Sequence, residues 1–154
     1  MLRVIVAALH LLALGIGMGA VITRGNTLRE TLTADSLRRA FRADNLWAAA
    51  AALWLITGLW RLFGGLEKTT AYYLVNHYFI LKMALFVLIF ALEVSPIVTL
   101  IRWRKALARG DSPAAFVAPA AAKRIATVSH VQALILVLMI FAAAAMARGY
   151  GVAS

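Results

Sequence analysis

The chain has no cysteine and few acidic residues. Without thiols, neither a disulfide framework nor a thiolate metal site can form, so any metal ligand must come from another residue type. Asp and Glu number 6 against 16 Lys and Arg, and charged residues make up only 14% of the 154 residues. Hydrophobic residues reach 64%, far above the share in a soluble domain. The composition therefore excludes an ordinary soluble domain and indicates a protein of the lipid bilayer.

Motifs for common enzyme chemistries are also missing. The sequence contains no phosphate-binding glycine loop, no paired-histidine zinc signature and no nucleophile elbow. A formal charge of +10 would suit a nucleic-acid partner. The basic residues, however, gather in short segments between apolar runs, where anionic lipid headgroups would meet them. We therefore expect the bilayer, and no nucleic acid, as the partner of these charges.

Four apolar stretches are long enough to cross a membrane, since a spanning helix needs about 20 apolar residues. They cover roughly residues 2–22, 46–63, 79–101 and 125–147. The sequence thus predicts an all-α integral membrane four-helix bundle, with 1–154 as a single domain. The first stretch is longer than the apolar core of a signal peptide, and most positive charge follows it, so we expect it to be retained.

Basic residues distinguish two connections from the third. The first connection holds five Lys and Arg and the last holds six, whereas the middle one holds only Lys68. The positive-inside rule then places the two basic connections in the cytoplasm and both termini outside. In the first connection, Leu37 and Phe41 fit either a short helix on an anionic surface or a solvated turn. Residues 111–122, rich in Ala and Pro, have the composition of a flexible loop.

Polar side chains inside the apolar stretches are the candidates for function, because each is costly in hydrocarbon without a partner. Depths estimated from a rise of about 1.5 Å per residue separate them into two layers. The outer layer holds His10, Arg61 and Lys82, and the inner layer holds Glu93, His130 and Gln132.

The outer layer predicts a site for haem b. His10 would be the axial metal ligand through a ring nitrogen, and Arg61 and Lys82 would meet the propionates. Ala13 and Gly17 share a helix face with His10, and their small side chains would leave a slot for the porphyrin.

A simpler interpretation of the first stretch involves packing alone. Gly15 and Gly19 would form a small-residue packing face, and His10 would only hydrogen-bond to a neighbouring helix.

The inner layer predicts a pair that could relay protons. Glu93 and His130 lie at similar depths, and Lys82 precedes Glu93 by about three helical turns on one inward face. Lys82, Glu93 and His130 are therefore the candidate catalytic residues. The alternative is that Glu93 and His130 only lock two helices together. A haem held by both His10 and His130 is disfavoured, because the two lie about 10 Å apart along the membrane normal.

Two segments carry a resemblance to a known family. The run AYYLVNHYFILKMALFVLIFALEVSPIVTLIRWR (71–104) and the preceding ADNLWAAAAALWLITGLWRLF (43–63) resemble four-helix bacterial membrane proteins grouped as a domain of unknown function. His10 in the first helix and Lys82 opening the third are also similar, more distantly, to the haem-associated protoporphyrinogen oxidase of bacteria. The fourth helix departs from that enzyme, since it begins KRIATVSHVQ. The resemblance implies the bacterial inner membrane.

Two function classes follow from these observations. In the first, the chain is a haem b-binding redox protein that passes electrons to quinone or oxygen, or oxidises a porphyrinogen. In the second, it is a non-enzymatic protein that stabilises or assembles a larger membrane complex or homo-oligomer, and its polar groups serve packing.

Overall fold

The fold is described by a computed structural model that covers residues 1–64 and 70–151. Lys68 of the middle connection and residues 152–154 at the C-terminus lie outside the described residues. Within them the regular structure is entirely helical. In chain order the helices are α1 (Leu2–Thr27), α2 (Ala34–Phe63), α3 (Thr70–Val75), α4 (His77–Ala108), α5 (Pro113–Phe116) and α6 (Pro119–Ala147).

Four of these helices, α1, α2, α4 and α6, are long and apolar enough to cross a membrane. This confirms the predicted all-α four-helix membrane architecture. All four extend beyond their apolar stretches: α1 runs to Thr27, α2 begins at Ala34, α4 ends at Ala108 and α6 begins at Pro119. An apolar stretch ends at the first charged residues, but a helix can continue through charged residues whose side chains are paired. The apolar stretches therefore underestimate the lengths of the helices.

The first connection is shorter than predicted because α2 starts early. Thr33 and Ser36 form a capping box, in which Ser36 N donates to Thr33 Oγ1 at 3.1 Å and Thr33 N donates to Ser36 Oγ at 2.8 Å. Leu37, one residue further on, is fully buried. Both interpretations of the Leu37 and Phe41 segment, a surface helix and a solvated turn, were therefore wrong. Leu37 packs inside the bundle because its helix is continuous with the span.

The second basic connection is also more ordered than its composition suggested. Residues 111–122, predicted as a loop, form α5 and the first turn of α6. Val117 between them is buried in an apolar cluster with Leu37, Leu100 and Ile125. Prolines at the first positions of α5 and α6 start these helices without losing a hydrogen bond.

The four spans pack in the order α2, α1, α6, α4. Helix α1 packs against α2 and α6, and α6 packs against α4, whereas α2 and α4 touch only slightly. Trp47, Trp54, Ile89 and Met139 belong to the apolar cluster in the middle of the bundle. The weak seam between α2 and α4 leaves an open groove between these two spans.

The end of α6 is fastened to the start of α4 by Asn76. Its Oδ1 accepts from the backbone N–H groups of Tyr78 and Phe79 at 3.0 and 3.2 Å, and its Nδ2 donates to Tyr150 O at 2.9 Å. The N–H of His77 donates to Gly151 O at 2.9 Å. Gly151 has φ +89° and lies so close to Tyr78 that a Cβ would come within 2.5 Å of its ring. These contacts close one end of the bundle.

Candidate functional site

His10 faces the interior of the bundle, as predicted, and is held by α2. Its Nδ1 lies 2.9 Å from Thr57 Oγ1. The Thr57 hydroxyl lies 2.7 Å from Leu53 O, and because a carbonyl only accepts, the hydroxyl proton points there. Thr57 Oγ1 therefore accepts from the Nδ1–H of His10. When the ring is neutral, this hydrogen bond leaves the lone pair on Nε2, the nitrogen that a metal would need.

Two adjoining cavities surround this imidazole and together form what we call the His10 chamber. The larger has a volume of about 340 Å³ and the smaller about 100 Å³. Both are lined by His10, Trp54, Lys82 and Met139, and the larger also by Arg61, Tyr72 and Tyr73. The structure thus brings together the three residues of the predicted outer layer around one largely apolar space.

Trp54 adds a polar atom that the sequence analysis did not consider. Its ring lies 5.7 Å from the His10 ring, centroid to centroid. The indole Nε1–H is buried and has no hydrogen-bond acceptor among the described residues. A buried donor without an acceptor is costly, and it is a feature that a bound ligand can relieve.

The slot predicted beside Gly17 does not exist. A Cβ at Gly17 would lie 2.9 Å from Trp47 Cζ3, so the indole of α2 already fills that space. The prediction of Gly17 as a cofactor-binding residue was therefore wrong. The packing alternative also failed for Gly15 and Gly19, since a Cβ at either would meet nothing within 4 Å. Gly17, rather than Gly15 or Gly19, is the glycine in this part of α1 that packs against α2.

At the other end of the bundle lies a buried ionic cluster, which we call the Arg24 network. Arg24 is 0% exposed, although the sequence analysis assigned it to a loop. It lies about 21 Å from His10 along α1. All four spans contribute to the network, through Arg24 (α1), Asp44 (α2), Glu93 and Arg104 (α4), and Ser129 and Gln132 (α6).

Every N–H of the Arg24 guanidinium has an acceptor. Nε donates to Ser129 Oγ at 2.9 Å, and Nη1 donates to Asp44 Oδ1 at 2.7 Å and Glu93 Oε1 at 2.6 Å. Nη2 donates to Glu93 Oε2 at 3.0 Å and Gln132 Oε1 at 2.8 Å. A guanidinium has five such donors, so the group is saturated. Full pairing is what makes a buried charge tolerable in hydrocarbon.

The carboxylates of the network are tied to further donors. Gln132 Nε2 donates to Glu93 Oε2 at 2.6 Å, and Arg104 Nη2 donates to Asp44 Oδ2 at 2.6 Å. Two arginines and two carboxylates therefore face one another, and their formal charges cancel. The arrangement suits a structural lock between helices.

The predicted pair of Glu93 and His130 was wrong. Both oxygens of Glu93 bond to Arg24, and Gln132 takes the place expected of the histidine. The ring of His130 instead lies against α1, with Nδ1 2.6 Å from Ala126 O and Nε2 3.0 Å from Asn26 Oδ1. The reason is rotation about α6: Ser129 and Gln132 are three residues apart and share an inward face, whereas His130 points about 100° away from Ser129.

His130 is also far from His10. A Cβ at Gly25 would lie 2.6 Å from His130 Cε1, so the imidazole packs directly on that glycine. Gly25 follows His10 by about 22 Å of helix rise. A haem shared by the two histidines is therefore excluded by the geometry. Within residues 1–64 and 70–151, no group of three or more His, Asp or Glu side chains is placed to hold a metal ion.

Arg24, Asp44 and Trp54 were not among the residues predicted from the sequence. The spacing of the sequence could have indicated that Arg24 faces inward, because Gly17, Val21 and Arg24 lie on one face of the helix. No comparable signal identifies Asp44 as a partly buried member of the network, since it follows several arginines of the basic segment.

Comparisons with known proteins agree with the fold. The family model described as predicted membrane protein (DUF2214) matches residues 2–151. The match covers nearly the whole chain, so the chain belongs to this family of predicted membrane proteins. No curated protein and no solved structure matches the chain. The comparisons thus support the membrane-protein family and give no support to a resemblance to protoporphyrinogen oxidase.

Proposed function

With the chain a member of this membrane-protein family, we propose that it binds haem b in the His10 chamber and is redox-active. The observation that carries the proposal is that one cavity is lined by an imidazole, by two cationic side chains and by apolar walls. His10 would be the axial ligand, and Arg61 and Lys82 would pair with the propionates.

The hydrogen bond from His10 to Thr57 supports ligation. Metal-binding histidines usually donate their second ring N–H to an acceptor, which fixes the tautomer and the ring orientation. Thr57 Oγ1 is such an acceptor at 2.9 Å, and it is itself oriented by Leu53 O. Thr57 of α2 would therefore hold the His10 ring in a ligating orientation before haem binds.

The chamber walls support an amphipathic anionic ligand. Their apolar members suit a porphyrin body, while a few polar groups define its orientation. The buried Nε1–H of Trp54 would gain an acceptor from an oxygen of the ligand. Haem supplies one-electron chemistry when bound, and the chain supplies binding, orientation and exclusion of water.

Glu93 and His130 have no place in this proposal as catalytic residues. Glu93 belongs to the Arg24 network, and His130 packs between α1 and α6. Of the three candidate catalytic residues, only Lys82 lines the chamber. Its proposed role is to hold the ligand carboxylate.

The proposal includes a location and an orientation. The exposed arginines and lysines of the first and last connections lie at the Arg24 end of the bundle, so that end would face the cytoplasm. The His10 chamber would then open toward the outer side, in the inner membrane of a bacterium. Quinone and porphyrin remain the proposed classes of redox partner.

The absorption spectrum of the purified protein tests haem binding. The chain should be expressed with excess haem precursor and purified in detergent. A Soret band that shifts on reduction, with about one haem per folded chain, is expected from a single axial-ligand site. A colourless, folded protein would contradict the proposal.

A non-enzymatic role is the competing function. The Arg24 network favours it, because a buried guanidinium with all its N–H groups paired serves helix packing rather than chemistry. In that case the chain would stabilise or assemble a larger membrane complex, and its chamber would carry no haem.

A further inference from the structure

The open seam between α2 and α4 forms a second cavity, which we call the seam groove. Its volume is about 430 Å³. Trp47, Ile89 and Glu93 are buried and form its floor. Its rim is exposed and apolar, and includes Ala48 and Ala52 of α2 and Phe90, Val94 and Ile97 of α4. The groove therefore faces the hydrocarbon and is separate from the His10 chamber.

Two polar side chains of the seam groove, Asp44 and Glu93, meet at Arg24, whose Nη1 donates to both. Asp44 lies at the start of the groove's α2 wall and Leu55 at the far end, a separation of about 16 Å along the helix. Between them the α2 wall consists of Trp47 and three alanines. The shape suits a ligand with one polar headgroup beside Asp44 and Glu93 and a slender apolar tail along the alanines.

The two carboxylates are not fully covered by the protein. Their side chains retain 16% exposure for Asp44 and 10% for Glu93. Asp44 Oδ1 and Oδ2 and Glu93 Oε1 each accept one hydrogen bond. A carboxylate oxygen has two lone pairs, so these three oxygens can each accept another donor. In hydrocarbon that donor has to come from a ligand or a trapped water.

Charge balance restricts what the headgroup can be. Arg24 and Arg104 already neutralise Asp44 and Glu93. An ammonium or phosphate headgroup would add an uncompensated charge at low dielectric, which is costly. A neutral group with O–H donors adds hydrogen bonds to charged acceptors without adding charge. The aromatic side chains of Trp47 in the floor and Phe90 on the rim favour a flat ring as the carrier of those hydroxyls.

We propose that the seam groove binds a lipid-soluble hydroquinone, with its hydroxyls donating to Asp44 and Glu93 and its tail lying along Ala48, Ala51 and Ala52. The site is independent of haem in the His10 chamber, because the two cavities share only Leu55. The proposal concerns binding alone.

The test uses the full chain in nanodiscs, under anaerobic reducing conditions. The probe is tritiated decyl hydroquinone, and empty nanodiscs give the background from partition into lipid. Saturable binding of one molecule per chain is expected. The dimethyl ether of the same hydroquinone keeps ring and tail but has no donors, so it should compete roughly tenfold or more weakly. Equal competition by the ether would contradict hydrogen bonding by the hydroxyls. It would mean that the groove binds apolar chains without recognising a headgroup.

A matched pair of substitutions assigns the binding to the groove. Ala52→Phe fills the groove from its rim, whereas Ala49→Phe adds the same bulk on an exposed position of α2 outside the groove. Ala52→Phe should weaken binding roughly tenfold or more, as expected when a ligand's contact surface is lost. Ala49→Phe should bind as the parent does. Equal affinity of both variants, or no saturable binding by the parent, would contradict the proposal. Haem content, measured in parallel, reports on the other cavity.

Discussion

The guanidinium of Arg24 meets the carboxylate of Glu93 with two parallel hydrogen bonds, Nη1 to Oε1 at 2.6 Å and Nη2 to Oε2 at 3.0 Å. The pair joins α1 to α4, which lie diagonally across the bundle and are not packing neighbours. Such a bridge defines the rotation of both helices about their axes, since a bidentate pair tolerates little misalignment. This one contact thereby positions α4, which lines both the seam groove and the His10 chamber, relative to α1, which carries His10.

Loss of the Arg24 charge should destabilise the bundle strongly. Arg24→Met leaves Asp44 and Glu93 with one cation, Arg104, and removing one partner of a buried pair costs about 3–5 kcal/mol. Arg29→Met is the control, because Arg29 is exposed in the first connection. Unfolding in mixed micelles with increasing sodium dodecyl sulfate gives both free energies. A loss in Arg24→Met no larger than that in Arg29→Met would show that the network does not support the fold.

The glycines of α1 should differ sharply in their tolerance of a methyl group. Gly17→Ala places a Cβ 2.9 Å from Trp47 and should cost about 1–3 kcal/mol through overpacking. Gly15→Ala meets open space and should be neutral or stabilising by up to about 1 kcal/mol. The same unfolding measurement compares the two. Equal effects would mean that Trp47 does not pack on Gly17.

Removal of the Thr57 hydroxyl should weaken haem binding without unfolding the chain. Thr57→Val keeps the shape but removes the acceptor of the His10 Nδ1–H, and losing such a partner typically costs 10- to 100-fold in metal affinity, as an order-of-magnitude estimate. Thr23→Val is the matched control, since Thr23 donates only to Gly19 O on its own helix. Haem titration into each purified apoprotein provides the affinities. An unchanged haem affinity in Thr57→Val would show that Thr57 does not contribute to the haem site.

The absence of cysteine makes the orientation directly testable. Ala71→Cys on α3 and Ala114→Cys on α5 place single thiols at exposed positions on opposite ends of the bundle. If the basic end is cytoplasmic, a membrane-impermeant maleimide added to intact spheroplasts should label Ala71→Cys. Ala114→Cys should react only after the membrane is permeabilised. The reverse pattern would invert the proposed topology.

Spans and their number could be predicted from the sequence because hydrocarbon imposes a length and a composition on each helix. The interior position of His10 followed from the same cost of exposing polar groups to lipid. Arg24 and Asp44 could not be found in this way, because hydropathy treats a charge as the end of a span. Arg24 and Asp44 can lie within spanning helices because their side chains form an ion pair in the folded bundle.

The common level of Glu93 and the inner part of α6 was predictable, whereas rotation about a helix axis was not. The separation of His10 from His130 was underestimated, at about 10 Å instead of about 22 Å of helix rise. Glu93 does meet α6 at the depth expected, but through Gln132 rather than His130. A single residue step turns a side chain by about 100°, so a depth estimate cannot choose between neighbours on one helix turn. The prediction of a slot beside Gly17 was wrong because Trp47, which fills that space, belongs to another helix, and the sequence of α1 alone does not show it.

The most direct test of the account is the haem content of His10→Ala and His130→Ala, each expressed with excess haem and checked for folding. Both substitutions remove an imidazole, but only His10 lines the chamber, whereas His130 packs on Gly25 at the other end. The account predicts that His10→Ala loses its haem and that His130→Ala retains about one haem per chain, as expected for a single axial ligand from this chain. Full haem occupancy in folded His10→Ala, or loss of haem in folded His130→Ala alone, would contradict it.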